Sequence, residues 1–132
     1  MKKLTISKLK KKVWAIFSKC IRLEGSVNGY NTCVTCGDMH EIEDLDAGHF
    51  IHGNTKKTYF DERNVWPQCT GCNRYRSGNL IKYTLFLEKT FGSGIIQELE
   101  KASNQGVFKR GELELLYIYY EEKLKSLEDT YG

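Results

Sequence analysis

The chain has 132 residues, of which 40 % are hydrophobic and 28 % charged, with 20 Lys and Arg against 17 Asp and Glu. This composition is typical of a folded globular protein and excludes a disordered or fibrous chain. No apolar run approaches the roughly 20 residues that span a bilayer, and the basic N-terminus leads into further lysines, so we expect one soluble, cytoplasmic domain over residues 1–132 with no membrane segment.

The first predicted element is a basic amphipathic helix within residues 1–24. Ser7 is its predicted N-cap, and apolar residues recur at helical spacing as far as Gly25, a C-terminal stop signal. This segment holds eight basic side chains and one acidic one. Clustered cations indicate a polyanionic partner, and Lys10, Lys11 and Lys12 are the predicted contacts. A solvated helix face is the alternative interpretation.

The middle of the chain, residues 30–79, carries only weak helix signals. Residues 39–43 and 47–52 are predicted to pair with each other as a small hairpin. Residues 73–77 are predicted to form one helical turn that ends at Gly78, and Asn79 is the predicted cap of the helix that follows. The remaining segment, 80–130, is predicted to be helical, with helices at 80–91, 95–102 and 111–127.

Four of the five cysteines form two C-x-x-C pairs, Cys33 with Cys36 and Cys69 with Cys72, with 32 residues between the pairs. Two such pairs predict a tetrahedral structural Zn²⁺ site. A disulfide and a thioredoxin-like redox motif are the alternatives; the first would require an oxidising compartment, and duplication of the motif argues against the second. Cys20 is predicted to be a buried apolar residue. The predicted fold is therefore α+β, with a small zinc-stapled ββα centre flanked by N-terminal and C-terminal helices.

Specific polar residues lie between and directly after the cysteine pairs. His49 and Asn64 lie between them, and Asn73 directly follows the last cysteine. This order resembles the HNH (His-Me finger) nucleases. The wider strings DAGH at 46–49, FDERN at 60–64, QCTGCN at 68–73 and SGNL at 77–80 are similar to the NinG family, the lambdoid-phage recombination nucleases also called Rap.

The resemblance implies a role for each of these residues. His49 would be the general base that deprotonates water, which an imidazole can do near neutral pH. Asn64 would fix the loop that orients this histidine. Asn73 would bind a catalytic Mg²⁺ or Mn²⁺ through its side-chain oxygen, since hard cations prefer oxygen ligands.

One position departs from the pattern of many HNH enzymes, which have an acidic metal ligand directly before the histidine. Here that position is Gly48, and the nearest upstream acid is Asp46. On a regular strand, side chains 46 and 49 point to opposite faces. Asp46 is expected to be the second ligand if Gly48 permits a bulge, and His52 is the alternative.

A second basic cluster surrounds the cysteine-rich centre. Its predicted DNA contacts are Lys56, Lys57, Arg63, Arg74 and Arg76. For the arginines, phosphate contacts are expected rather than salt bridges, because the close acids in sequence are few. The neighbouring aromatic residues Tyr75 and Trp66 are expected to pack in the protein rather than to stack on bases.

The function implied by the resemblance is metal-dependent, structure-selective cleavage of branched DNA, such as Holliday junctions and D-loops, during phage recombination. Shape and backbone contacts would set the selectivity, because no base-reading motif is present. A general HNH enzyme that nicks duplex DNA and a non-catalytic zinc-containing nucleic-acid-binding module are the alternatives. The sequence also leaves open a homodimer.

Overall fold

The computed structural model describes residues 3–132, so Lys2 of the basic N-terminal segment lies outside the described residues. The first helix, α1, spans Ile6–Leu23. Its N-cap is Thr5, whose hydroxyl accepts a hydrogen bond from the Lys8 backbone N–H at 3.2 Å, so the predicted cap at Ser7 is wrong by two residues. The predicted stop is confirmed, because Gly25 follows the helix with a φ of 81°.

Within residues 3–132, four short strands form two antiparallel sheets. β1 (Tyr30–Thr32) pairs with β2 (Met39–Glu41), and β3 (Leu45–His49) pairs with β4 (Val65–Cys69). The predicted hairpin between 39–43 and 47–52 is therefore wrong. A 3-10 turn at Ile42–Asp44 separates these two stretches, and each pairs with a strand elsewhere in the chain.

The C-terminal half is helical, as predicted. α2 spans Leu80–Phe91, α3 spans Ile95–Ser103 and α4 spans Arg110–Tyr131. The first two agree with prediction to within one residue, and α4 extends four residues beyond the predicted end. A π-helical turn at Gly71–Tyr75 precedes α2, two residues earlier than the predicted turn. None of the described helices is long and apolar enough to cross a membrane.

The β3–β4 hairpin lies between two apolar clusters. One cluster joins α1 and α4 to the hairpin through fully buried residues such as Phe17, Val65 and Leu113. The other is built mainly from α2 and α3. The Tyr83 hydroxyl of α2 donates a 2.7 Å hydrogen bond to the Gly48 carbonyl of β3. The architecture is thus mixed α+β, with helices holding the hairpin that carries His49.

Candidate functional site

The two cysteine pairs meet at one point. Cys33 and Cys36 lie in the β1–β2 connection, Cys69 ends β4, and Cys72 lies in the following turn. Their four sulfurs all lie within 4.8 Å of one another, and none of these cysteines is in a disulfide. A tetrahedral ion with Zn–S bonds of about 2.3 Å separates its sulfurs by about 3.8 Å, and Cys36 Sγ lies 3.8 Å from Cys69 Sγ. The cluster could hold a metal ion such as zinc.

Hydrogen bonds surround these sulfurs. The Cys72 backbone N–H donates to Cys69 Sγ at 3.4 Å, and Asn79 Nδ2 donates to Cys72 Sγ at 3.5 Å. Asn79 therefore supports the cluster and makes no side-chain cap to α2, contrary to prediction. Burial raises the pKa of Cys33, but hydrogen bonds from Thr35 and nearby backbone outweigh it and give a pKa of about 6. These bonds favour the thiolate of Cys33, the form that binds metals. Burial instead raises the pKa of Cys36 and of Cys69.

His49 lies at the end of β3 in a cluster of aromatic rings. Its Nε2 is 3.0 Å from the Tyr59 carbonyl oxygen. The ring centroid lies 4.7 Å from that of Tyr59 and 4.9 Å from that of Trp14, with both pairs stacked. Because a carbonyl can only accept, Nε2 carries the hydrogen and Nδ1 keeps its lone pair. Burial lowers the pKa of His49, so the ring is neutral at pH 7.

Asn64 holds the loop that contacts His49. Its fully buried side chain accepts from the Ile51 N–H at 2.8 Å and donates to the Ile51 and Thr58 carbonyls, both at 3.0 Å. The Thr58 carbonyl is one residue from the Tyr59 carbonyl that binds His49 Nε2. Asn64, directly before β4, thus ties Ile51 and Thr58 of this loop together. Its role in orienting His49 stays a prediction.

Asp46 and Asn73 lie together beside Arg74. Asn73 Nδ2 donates to Asp46 Oδ2 at 3.0 Å, and Arg74 donates to both carboxylate oxygens, at 2.9 and 3.1 Å. These residues line a cleft of about 400 Å³ together with Glu43 and Trp14. Because Trp14 also contacts His49, one indole ring joins the cleft to the histidine.

The β3–β4 register runs without interruption from Leu45 opposite Cys69 to His49 opposite Val65. The bulge that would turn Asp46 toward His49 is therefore absent, and alternation places these two side chains on opposite faces. Gly48 serves a different purpose, because a Cβ there would lie 2.8 Å from the Gln68 side-chain Cδ.

The predicted ligands of the catalytic metal ion lie in two separate parts of the structure. The alternative ligand, His52, has its ring centroid 6.4 Å from that of His49. The structure thus brings Asp46 to Asn73 and His52 near His49. Asp46 and Asn73 offer the oxygen donors that Mg²⁺ or Mn²⁺ takes, but Arg74 occupies the carboxylate. Among residues 3–132, the cysteine cluster is the one close group of three or more Cys, His, Asp or Glu.

Several predicted DNA contacts are engaged within the protein. Three form ion pairs: Lys57 with Glu112, Arg63 with Asp61, and Arg74 with Asp46. The expectation that these arginines form no salt bridges is therefore wrong for Arg63 and Arg74. Their contact with DNA phosphates stays a prediction. For Lys57 the partner is 55 residues away in the chain, beyond the reach of any local pattern.

The remaining predicted contacts are differently placed. Lys10 Nζ donates to the Asn54 carbonyl at 2.8 Å, and Lys12 Nζ lies 5.2 Å from the centre of the Tyr117 ring. Within the described residues, no ion pair involves the other three predicted contacts, which are Lys11, Lys56 and Arg76. Of these three, Lys11 and Arg76 are exposed and Lys56 is half-buried.

Sequence reasoning missed the two rings that pack on His49. Trp14 directly follows Val13 of the buried face of α1, and Tyr59 lies in a segment without apolar periodicity. Both read as ordinary core aromatics. The basic cleft residue Arg22 and the acid Glu43 were missed for a different reason, because each reaches the cleft from a different element.

Residues 1–130 match the family described as "Bacteriophage Lambda NinG protein". The chain belongs to the NinG family. It is 32 % identical over 99 residues to the NinG protein of Salmonella phage P22, covering 74 % of this chain and 48 % of that protein. The NinG protein of Escherichia phage lambda is 31 % identical with the same coverage.

The chain spans about half the length of the curated NinG relatives that it matches. No solved structure matches it significantly. The resemblance drawn from the four sequence strings to the NinG family is confirmed.

Proposed function

We propose that this NinG family member is a metal-dependent endonuclease that hydrolyses phosphodiester bonds in branched DNA, such as Holliday junctions and D-loops, during phage recombination. The observation that carries the proposal is His49, a neutral imidazole whose Nε2 is held by a carbonyl while Nδ1 keeps its lone pair. The resemblance to HNH nucleases, given above, supplies the reaction class.

His49 is suited to act as a general base. Nδ1 would take a proton from the attacking water, and a base that is neutral at the working pH is ready to do so. Once Nδ1 is protonated, the Nε2–H bond to the Tyr59 carbonyl strengthens, since a charged donor binds a carbonyl more strongly than a neutral one. Asn64 would keep that carbonyl in place through its bonds to the same loop.

A divalent ion, when bound, would neutralise the charge that develops on the phosphoryl oxygens and the leaving group. Although β3 has no bulge, Asp46 and Asn73 are the residues proposed to hold it, because they lie together in the cleft beside Trp14, which contacts His49. Arg74 would have to release Asp46 first, and its exposed guanidinium could then bind a DNA phosphate. The four cysteines would hold a separate structural zinc ion.

A non-catalytic zinc-containing nucleic-acid-binding module is the second candidate. The observation that favours it is the position of Asp46, which is held by Arg74 and lies on the opposite strand face from His49. A module of this kind would bind DNA without turnover under any metal condition. A general enzyme that nicks linear duplex DNA is the nearer alternative within the enzyme class.

The test compares His49→Ala with the wild type on a labelled four-way junction, a D-loop and linear duplex in Mg²⁺ or Mn²⁺. Loss of a general base costs about 10²- to 10⁴-fold in rate, so junction cleavage should fall by at least 100-fold. His40→Ala, on β2, is the matched control and should cleave normally. Zinc content and circular dichroism establish that both variants fold.

Each outcome separates the candidates. Normal cleavage by His49→Ala removes this residue from the mechanism. Equal cleavage of junction and linear duplex favours the general nicking enzyme. No cleavage of any substrate by the folded, zinc-loaded wild type favours the binding module.

A further inference from the structure

An exposed aromatic residue directly follows the cleft residue Arg74 in the chain. Tyr75 ends the π-helical turn Gly71–Tyr75 and is 83 % exposed. The expectation that it packs in the protein is therefore wrong. The same turn carries Asn73, which lines the cleft with Asp46. The Tyr75 Cα lies at most about 7 Å from that of Asn73, two residues away, so one DNA molecule can contact both residues.

The chain around Tyr75 is positively charged. Arg76 follows it and Lys82 lies in the first turn of α2, and both are exposed. Arg74, on its other side, is exposed but paired with Asp46. No Asp or Glu occurs from position 63 to position 87. Within residues 3–132, Arg76 is in no ion pair. Such a surface attracts phosphates and repels a second copy of itself.

We propose that Tyr75 stacks on a nucleobase exposed at a DNA branch point, while Arg76 and Lys82 contact the adjoining phosphates. This inference rests on the proposed function and deepens it, because it names the group that recognises the branch. In linear duplex each base face is already covered by its neighbours. At a branch point or single-stranded arm a face is open, so the ring gains a partner there alone.

The size of the effect follows from base–aromatic stacking, which changes affinity by about 5- to 150-fold per base. A single tyrosine would therefore account for a preference of about tenfold for branched over linear DNA. The phosphate contacts would add affinity for both substrates alike.

The experiment measures binding without cleavage, using zinc-loaded protein in buffer without added Mg²⁺ or Mn²⁺. The probes are a four-way junction with 2-aminopurine at the branch point and a linear duplex with 2-aminopurine at its centre. For the wild type, we expect the junction fluorescence to be quenched by stacking. Tyr75→Ala should lose that quenching and about tenfold in junction affinity, with duplex affinity unchanged.

Three further variants make the test specific. Tyr75→Phe and Tyr75→Trp keep an aromatic face and should retain both the quenching and the junction preference. Tyr119→Ala removes another exposed tyrosine, 56 % exposed on α4, and should behave as wild type. Retention of the full quenching and junction preference by Tyr75→Ala would overturn the proposal. A change in its oligomeric state with unchanged DNA binding would overturn it too, since another protein would then cover the ring.

The stacking proposal and the proposed nuclease function can fail independently of each other. If no substrate is cleaved but the quenching still depends on Tyr75, the stacking proposal stands for a binding module. If cleavage depends on His49 and binding ignores Tyr75, the stacking proposal alone is wrong.

Discussion

Replacing Asn64 by alanine should destabilise the protein by about 3 kcal/mol. The fully buried side chain makes three hydrogen bonds, one accepted from the Ile51 N–H and two donated to the Ile51 and Thr58 carbonyls. Each contributes about 1 kcal/mol, and the loss leaves buried partners unsatisfied. Since whole domains are stable by only about 5–15 kcal/mol, the loss is a large fraction of the total.

Urea denaturation of the zinc-loaded protein measures this loss. With a slope of about 1.5 kcal/mol per molar urea, the midpoint should fall by about 2 M. Asn104→Ala is the matched control, because Asn104 is exposed and makes one side-chain bond, to the Glu100 carbonyl, so its replacement should cost less than about 1 kcal/mol. A loss below about 1 kcal/mol for Asn64→Ala would refute the view that its side chain holds the loop.

Cys69 of the cysteine cluster, Gly48 of the β3–β4 hairpin and His49 each allow a further prediction. Cys69→Ser should lower both zinc content by metal analysis and the thermal midpoint, whereas full zinc with an unchanged midpoint would contradict the cluster. Gly48→Ala should cost about 1–3 kcal/mol in urea denaturation because its methyl group collides with Gln68; an unchanged midpoint would show that Gln68 can move away. Burial lowers the pKa of His49 below its ordinary value of about 6.5. The rate of single-turnover cleavage should therefore stay constant as the pH falls and decline only below about pH 6.5. A decline centred above that pH would argue against a buried neutral base.

The helices could be predicted because their signals are local. Apolar residues at helical spacing defined α1, α2 and α3 to within a few residues, and Gly25 marked the end of α1. The strand pairing could not be read in this way. β1 and β2 are three residues each, and their pairing depends on a reversal between Cys33 and Asp38, where the Cys33 N–H bonds the Asp38 carbonyl at 2.9 Å.

The sequence identified residues of the candidate site by their spacing and by family resemblance. It was less informative about contacts between residues that are far apart in the chain. The four cysteines and Asn64 were identified from spacing and family resemblance. Gly48 was interpreted as permitting a bulge, but the structure has the buried side chain of Gln68, 20 residues later, close to its Cα instead. The exposure of Tyr75 depends on how the turn packs, which no aromatic pattern in the sequence reports.

The cysteine cluster closes the loop that carries the candidate site, so a chelator can abolish the proposed DNA cleavage by removing zinc alone. Cys36 and Cys69 are separated by 32 residues, and that intervening segment contains both His49 and Asn64. A strong chelator that extracts zinc would open this closed loop and so disturb the imidazole without touching it. Loss of cleavage on adding such a chelator would therefore show that zinc holds the loop closed. Dependence on a hard cation is measured instead by restoring Mg²⁺ to protein whose zinc is still bound.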